Sequence, residues 1–176
     1  MIYEPAEDSY LLEKEVKKYV QRKSFLDMGS GSGIQSKSAK QGGASSILAV
    51  DSNPESVKLL KKKKIPSKVS DLFSNIHETF DIIAFNPPYL PHDDQEDKES
   101  QSITTGGKKG DELILRFLKQ VSKHLNKKGS ILLVVSSLTP KKSILELLKK
   151  LNMKHTVVAE KRLFFEKLQV WKITPP

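Results

Sequence analysis

The strongest constraint on this chain is alternation: short apolar runs of strand character recur between segments of helical period. Residues 24–28, 46–50 (SILAV), 68–69, 80–85 (FDIIAF) and 130–135 read as strands. Residues 6–22, 34–40, 54 to about 63, 111–125 and 140–151 read as helices, with apolar positions on one side. Pro5 and early acids open the first helix, and Asn53-Pro54 opens the third. Near-continuous apolar strands between helices build a mostly parallel, doubly wound sheet covered on both faces. Residues 156–159 and 163–173 have no helix between them, so the last strand must run antiparallel. The 163–173 run reads as one long strand with a bulge near Glu166-Lys167. The expected organisation is one domain over 1–176, with a helical segment at 1–22 and an active-site loop at 91–110.

Composition removes several chemistries. Cys is absent, which excludes disulfides, thiolate catalysis and Cys-ligated metal sites in this chain. His77, His92, His124 and His155 include no i,i+4 pair, so no metal-binding HExxH helix is expected, and no metal site. No stretch approaches the ~18 apolar residues of a membrane span. The opening MIYEPAEDSY is acidic and lacks the apolar core of a signal peptide, so a cytoplasmic location and no membrane partner are expected. Lys+Arg total 30 against 21 Asp+Glu, a net charge of +9, nearly all of it from Lys. That excess fits an anionic partner such as nucleic acid, and equally a Lys-rich solvated surface.

The first strand ends in Asp27-Met28-Gly29-Ser30-Gly31-Ser32-Gly33. Glycines there allow a tight turn and let a ligand approach main-chain N–H groups. The dinucleotide pattern G-x-G-x-x-G fails in both registers, since Ile34 and Ser36 stand where Gly or Ala is required. Asp27 is unsuited to a pyrophosphate and suited to a ligand bearing an ammonium, such as S-adenosylmethionine. Gly29, Gly31 and Gly33 would give backbone access. Asp51 ends the second strand, where an acid meets ribose hydroxyls in nucleoside sites of this topology. Asp71 follows the third strand, placed to accept from an adenine amino group, with Leu72 against the ring. Each acid taken singly also fits a helix N-cap. Three at successive strand ends point to a ligand crevice.

The fourth strand delivers Asn86-Pro87-Pro88-Tyr89. Neither proline has an N–H, and Pro87 pushes Asn86 out of the helical region. The result is a stiff corner of acceptors, the Asn86 side-chain oxygen and the Pro87 carbonyl, matched to a planar –NH₂ group. Tyr89 adds an aromatic surface against a flat substrate.

With these residues in place, the chain resembles the class I methyltransferases, and within them the HemK-related N5-glutamine methyltransferases of peptide-chain release factors, in their archaeal/eukaryotic branch. The resemblance rests on residues 3–9 (YEPAEDS), 27–33, 86–89 and 106–112 (GGKKGDE). It implies a Rossmann-like seven-stranded sheet, S-adenosylmethionine as donor and the glutamine of a release-factor GGQ loop as acceptor. By position it implies that Ser9 helps hold the cofactor's carboxylate end and that Asn86 and Pro87 grip the substrate amide, with Asn86 also beside the cofactor. It further implies a small zinc-binding activator subunit as heterodimer partner. The chain departs from the family in carrying Asp27 where Glu is commoner and in an acidic 91–105 loop, and the bacterial-type N-terminal helical domain is not expected.

One alternative shares the geometry, an N6-adenine methyltransferase of RNA or DNA; the resemblance also implies a second, a protein lysine methyltransferase. The positive charge favours nucleic acid. Asp93, Asp94, Glu96, Asp97 and Glu99, beside the expected pocket, would repel a phosphate backbone, and also fit a plain solvated loop. A catalytically idle binding module is disfavoured by the intact loop and Asn-Pro-Pro-Tyr corner.

Overall fold

The structure is a computed structural model that describes residues 2–90, 101 and 104–176. Most of the acidic 91–105 loop therefore lies outside the described residues. Helix α1 (Glu7–Tyr19) precedes β1 (Ser24–Met28), α2 (Ile34–Gln41), β2 (Ser46–Asp51), α3 (Pro54–Lys62), β3 (Ser67–Val69) and β4 (Phe80–Phe85). Then come α4 (Glu112–Val121), β5 (Leu125–Ser136), α5 (Lys141–Lys150), β6 (Lys154–Arg162) and β7 (Lys167–Thr174). The seven strands form one sheet in the order β3-β2-β1-β4-β5-β7-β6. All neighbours in the β3-to-β5 part pair parallel, and β7 runs antiparallel to both β5 and β6.

This order fixes where a ligand can bind. From β1 the chain winds outward through β2 and β3, then returns to lay β4 on the other side of β1. Between β1 and β4 the winding reverses, and a crevice opens beyond their carboxyl ends. Met28 pairs with Phe85 across that boundary, so the glycine loop and the Asn-Pro-Pro-Tyr corner leave the sheet side by side. At the opposite end Asp81 locks the same strands. Its Oδ2 accepts from the Ser24 N–H and hydroxyl, both at 2.9 Å, and its Oδ1 accepts from Asn126 Nδ2 at 2.7 Å. The Asn126 donor leads in holding the Asp81 carboxyl below its ordinary range.

Alternating residues of the central strands feed two cores, as strand geometry requires. Ile82 and Ala84 join Phe25, Leu132 and Val134 beneath α1 and α2, where Leu12 and Val16 pack. Ile83 and Phe85 face the other way, onto Ile114 and Phe117 of α4 and Ile144 and Leu148 of α5. Phe25, Leu26, Ile82 and Ile83 are fully buried, each stabilising the fold by roughly 1.5–3 kcal/mol. No helix among the described residues is long and apolar enough to cross a membrane.

Three boundaries differ from the sequence reading. The α4 helix stops at Val121, and a 3₁₀ turn at Ser122–His124 hands the chain to β5, which starts at Leu125 rather than after Gly129. Gly129 sits inside that strand, where a Cβ would stand 3.0 Å from the Phe80 carbonyl, beside a register shift between Phe80 and Ile82. The expected single strand over 163–173 is instead a hairpin. Strand β6 continues to Arg162, and the Leu163 N–H closes the turn onto the Glu166 carbonyl at 2.7 Å. Phe164 and Phe165 are 91% and 84% exposed at its tip, packed on each other edge to face.

Candidate active site

A cavity of about 530 Å³ opens at the crevice between β1 and β4. Its floor is the glycine loop. Gly31 has a φ of +48° and almost nothing near the place of a Cβ, and its N–H donates to Asp51 Oδ2 at 2.8 Å. Asp51 Oδ1 accepts from the Asn53 N–H at 2.8 Å, so one carboxylate ties the loop to the start of α3. Gly29 lines the same floor, beside Phe85. Gly33 is placed differently from the sequence expectation. It is not among the residues lining this cavity; it caps α2 at φ +84°, where a Cβ would stand 2.5 Å from Leu60 Cδ2.

Asp27 is 2% exposed, and its Oδ2 accepts from the Ser36 N–H at 2.9 Å and from the Ser36 hydroxyl at 2.6 Å. Burial outweighs both donors and pushes its carboxyl up to about 7. At the far end, Asp71 and Leu72 both border the cavity. The Asp71 carboxylate is engaged by Arg116 at 2.8 Å, with both side chains more than half exposed. Leu72 is buried at φ +49°, an unusual conformation for a branched residue. Ser70 supports it, donating its hydroxyl to the Leu72 carbonyl at 2.7 Å.

The β4 end supplies the acceptor corner. Asn86 Nδ2 donates to Ser9 Oγ at 3.5 Å, while Asn86 Oδ1 is buried with no hydrogen-bond partner. Ser9 was expected beside the cofactor, and its hydroxyl is found between Asp8 and Asn86. Asp8 gathers the Tyr3 hydroxyl at 2.9 Å, the Ser9 N–H at 2.6 Å and, more distantly, the Tyr89 hydroxyl at 3.5 Å. Burial first, then the Asp8 charge, raise the titration of both phenols well above the ordinary tyrosine range. Sequence reasoning quoted Tyr3 and Asp8 only within the 3–9 signature, gave neither a role, and did not name Gln35. An acid in the first turn of a helix reads as a partner for the helix dipole, and its burial is a tertiary fact.

The 106–112 element braces this corner. Glu112 accepts from the N–H groups of Lys109 and Gly110, folding the loop onto the start of α4. Gly106 bonds back to the Leu90 carbonyl at 2.9 Å, and a Cβ on it would lie 2.6 Å from the Pro88 oxygen. Loop and corner therefore hold each other.

Comparison with known proteins agrees with this geometry. Residues 7–165 match the family described as methyltransferase small domain. A Methanocaldococcus jannaschii protein assigned as a protein N5-glutamine methyltransferase is 39% identical over 183 residues, covering 98% of this chain and 92% of that one. The human methyltransferase HEMK2 is 28% identical, with 98% and 89% covered. Among solved structures, the Mtq2–Trm112 complex of E. cuniculi, described as responsible for methylating the termination factor eRF1, superposes with a TM-score of 0.82 at 24% identity, with 99% of each chain covered. The chain therefore belongs to the methyltransferase small-domain family and groups there with the HemK-related N5-glutamine methyltransferases.

Proposed function

We propose that this chain transfers a methyl group from S-adenosylmethionine to the side-chain amide nitrogen of a glutamine, that of the GGQ loop of a translation release factor. The observation that carries the reading is Asn86 Oδ1, a buried acceptor without a partner on a residue that lines a nucleoside-sized cavity. The next two residues, Pro87 and Pro88, cannot donate. An incoming –CONH₂ group offers one hydrogen to Asn86 Oδ1, which has no partner, and a second to the Pro87 carbonyl.

The residues present also fit the cofactor. Gly31 leaves space where a side chain would intrude, and the carboxyl groups of Asp27 and Asp51 suit an ammonium and a ribose. Gly29 and Gly31 would line the thioether end and Leu72 the adenine. The exposed Arg116–Asp71 pair is worth ~1 kcal/mol or less, so Asp71 can exchange it for an adenine amino group. When bound, S-adenosylmethionine supplies a methyl on a positively charged sulfur, the electrophile.

The chain's own work is to orient the nucleophile. An amide nitrogen is a poor nucleophile because its lone pair is conjugated with the carbonyl. Acceptors that hold both hydrogens favour the pyramidal nitrogen as the transition state forms. Fixing that nitrogen against the donor contributes on the order of 7–11 kcal/mol. Tyr89, which also lines the cavity, would add an aromatic surface against the flat substrate.

The reading extends to a partner and a place. The E. cuniculi neighbour is solved as a complex with Trm112, which supports a small activator subunit for this chain as well. Zinc in that subunit is part of the proposal, as is action in the cytoplasm, where release factors work. The test is label transfer from methyl-labelled S-adenosylmethionine to purified release factor, with and without the activator, located by mass spectrometry. Label on the GGQ glutamine, lost when it is changed to Ala, supports the reading. Label in total RNA instead hands the site to adenine methylation.

A further inference from the structure

We propose that Asp8 and Ser9 are positioning residues that decide which end of the Asn86 carboxamide faces the acceptor. The inference rests on Asn86 gripping the substrate amide, as above, and assigns the device that orients it.

Asp8 is 4% exposed at the start of α1. The Tyr3 hydroxyl lies 2.9 Å from both of its oxygens, and the Ser9 N–H donates to Oδ1 at 2.6 Å. A carboxylate in this position only accepts. The Ser9 hydroxyl therefore donates to it, at 3.2 Å, and in doing so uses its single hydrogen. Toward Asn86 the Ser9 oxygen can then only accept. The carboxamide must present Nδ2 to it, which is the 3.5 Å contact observed. A carboxamide turned by half a rotation would set Oδ1 against Ser9 Oγ with no hydrogen between them. It would also offer the substrate an –NH₂ where an acceptor is needed.

The relay runs Asn86 Nδ2–H to Ser9 Oγ–H to Asp8 Oδ1, and its far consequence is that Asn86 Oδ1, on a residue lining the cavity, is the end left without a partner. The backbone of Ser9 is held independently, since Gln35 Nε2 donates to its carbonyl at 2.9 Å from α2. Ser9 thereby serves the acceptor amide rather than the cofactor's carboxylate.

The experiment compares Ser9→Ala, Ser9→Thr, Asp8→Asn and Asn86→Ala, and the Ser9→Ala/Asn86→Ala double variant. Turnover is measured on release factor and cofactor affinity by calorimetry. Ser9→Ala is expected to lower kcat about 10–100-fold, the scale of a small misplacement of a reacting group, with cofactor Kd and acceptor KM within about twofold. Ser9→Thr keeps the hydroxyl and restores most of kcat. Asp8→Asn, which adds hydrogens without changing shape, lowers kcat by the same order. The double variant is no slower than Asn86→Ala alone, because Ser9 acts through Asn86. Full turnover in Ser9→Ala alongside an inactive Asn86→Ala overturns the relay and leaves the glutamine reading standing. Weakened cofactor binding with unchanged kcat in Ser9→Ala returns Ser9 to the cofactor and overturns it too. Wild-type turnover in Asn86→Ala removes the relay together with the site assignment beneath it.

Discussion

Asp27 and Ser36 are bonded twice: one carboxylate oxygen accepts both the Ser36 N–H, at 2.9 Å, and the Ser36 hydroxyl, at 2.6 Å. The pair joins the end of β1 to the first turn of α2, across the glycine loop between them. Burial still dominates, and the acid titrates near 7 in the free protein. A ligand ammonium beside it favours the ionised form, so below about pH 7 binding must release a proton. Cofactor affinity should rise by up to about tenfold per pH unit up to roughly pH 7 and then level off. Calorimetric titration of S-adenosylhomocysteine at several pH values, in buffers of different ionisation enthalpy, measures both. Flat affinity with no proton released at pH 6 would remove Asp27 from ligand binding.

The same residue sets a stability window. In the unfolded chain an Asp titrates near 3.9, and in the fold near 7. Between those values the native state holds a proton that the unfolded state has lost. Stability contributed by this group therefore falls as pH rises through the window, by up to roughly 1.4 kcal/mol per pH unit, and is level above it. Asp27→Asn should flatten that decline, raise the melting temperature at pH 8 and weaken cofactor binding. Equal melting shifts at pH 5 and pH 8 would contradict it.

Asn86→Ala separates binding from transfer. The variant removes the unpartnered acceptor while leaving Asp27, Asp51 and the glycine loop intact. Cofactor affinity should stay within about threefold, while turnover on release factor drops about 10²–10³-fold, the usual loss for one oriented polar group at a reaction centre. Rapid-quench turnover and equilibrium binding on one preparation decide it; parallel losses in both would make Asn86 a cofactor ligand instead.

The sheet was legible because local and tertiary signals agree. FDIIAF is apolar at every position except Asp81, and both faces of that strand are in fact covered. Asn53-Pro54 announces its helix with a cap and a fixed φ, and the Asn53 side chain does accept from the Glu55 N–H at 3.0 Å. Misreadings fell where composition and environment part. Leu163-Phe164-Phe165 has strand character but lies at a solvent-exposed turn. Gly33 shares its loop pattern with Gly31, and only the approach of Leu60 separates a packing glycine from a cavity one. Asp8 and Asn86 are 78 positions apart, so their link through Ser9 becomes visible only once α1 is laid against the end of β4.

Gly106→Ala should cripple the acceptor corner without abolishing cofactor binding. The new methyl would collide with the Gly110 and Pro88 carbonyl oxygens, at 2.3 and 2.6 Å, and both are backbone. One of them must move, and movement of Pro88 drags Asn86 and Tyr89. The expected result is at least about tenfold lower kcat, with cofactor Kd little changed, since a shift of ~1 Å at a reacting group is costly. Gly33→Ala is the contrasting control. Its clash is with the flexible end of Leu60 at a positive φ, so it should cost about 1–2 kcal/mol of stability and leave the kcat of the folded fraction near wild type. Matching kcat losses in the two variants would refute the brace.

Phe164 and Phe165 test the hairpin directly. Were they inside the final strand, as a single 163–173 strand requires, changing both to Ser would cost several kcal/mol. At an exposed tip, beyond the bond from the Leu163 N–H to the Glu166 carbonyl, they bury little against the fold. The double change F164S/F165S should alter unfolding free energy by no more than about 0.5 kcal/mol, whereas Leu168→Ala, buried at 1% just inside β7, should cost about 2–5 kcal/mol. Denaturant unfolding of the two variants gives the comparison. A large loss in F164S/F165S would mean that the turn lies elsewhere and that β7 begins earlier than Lys167.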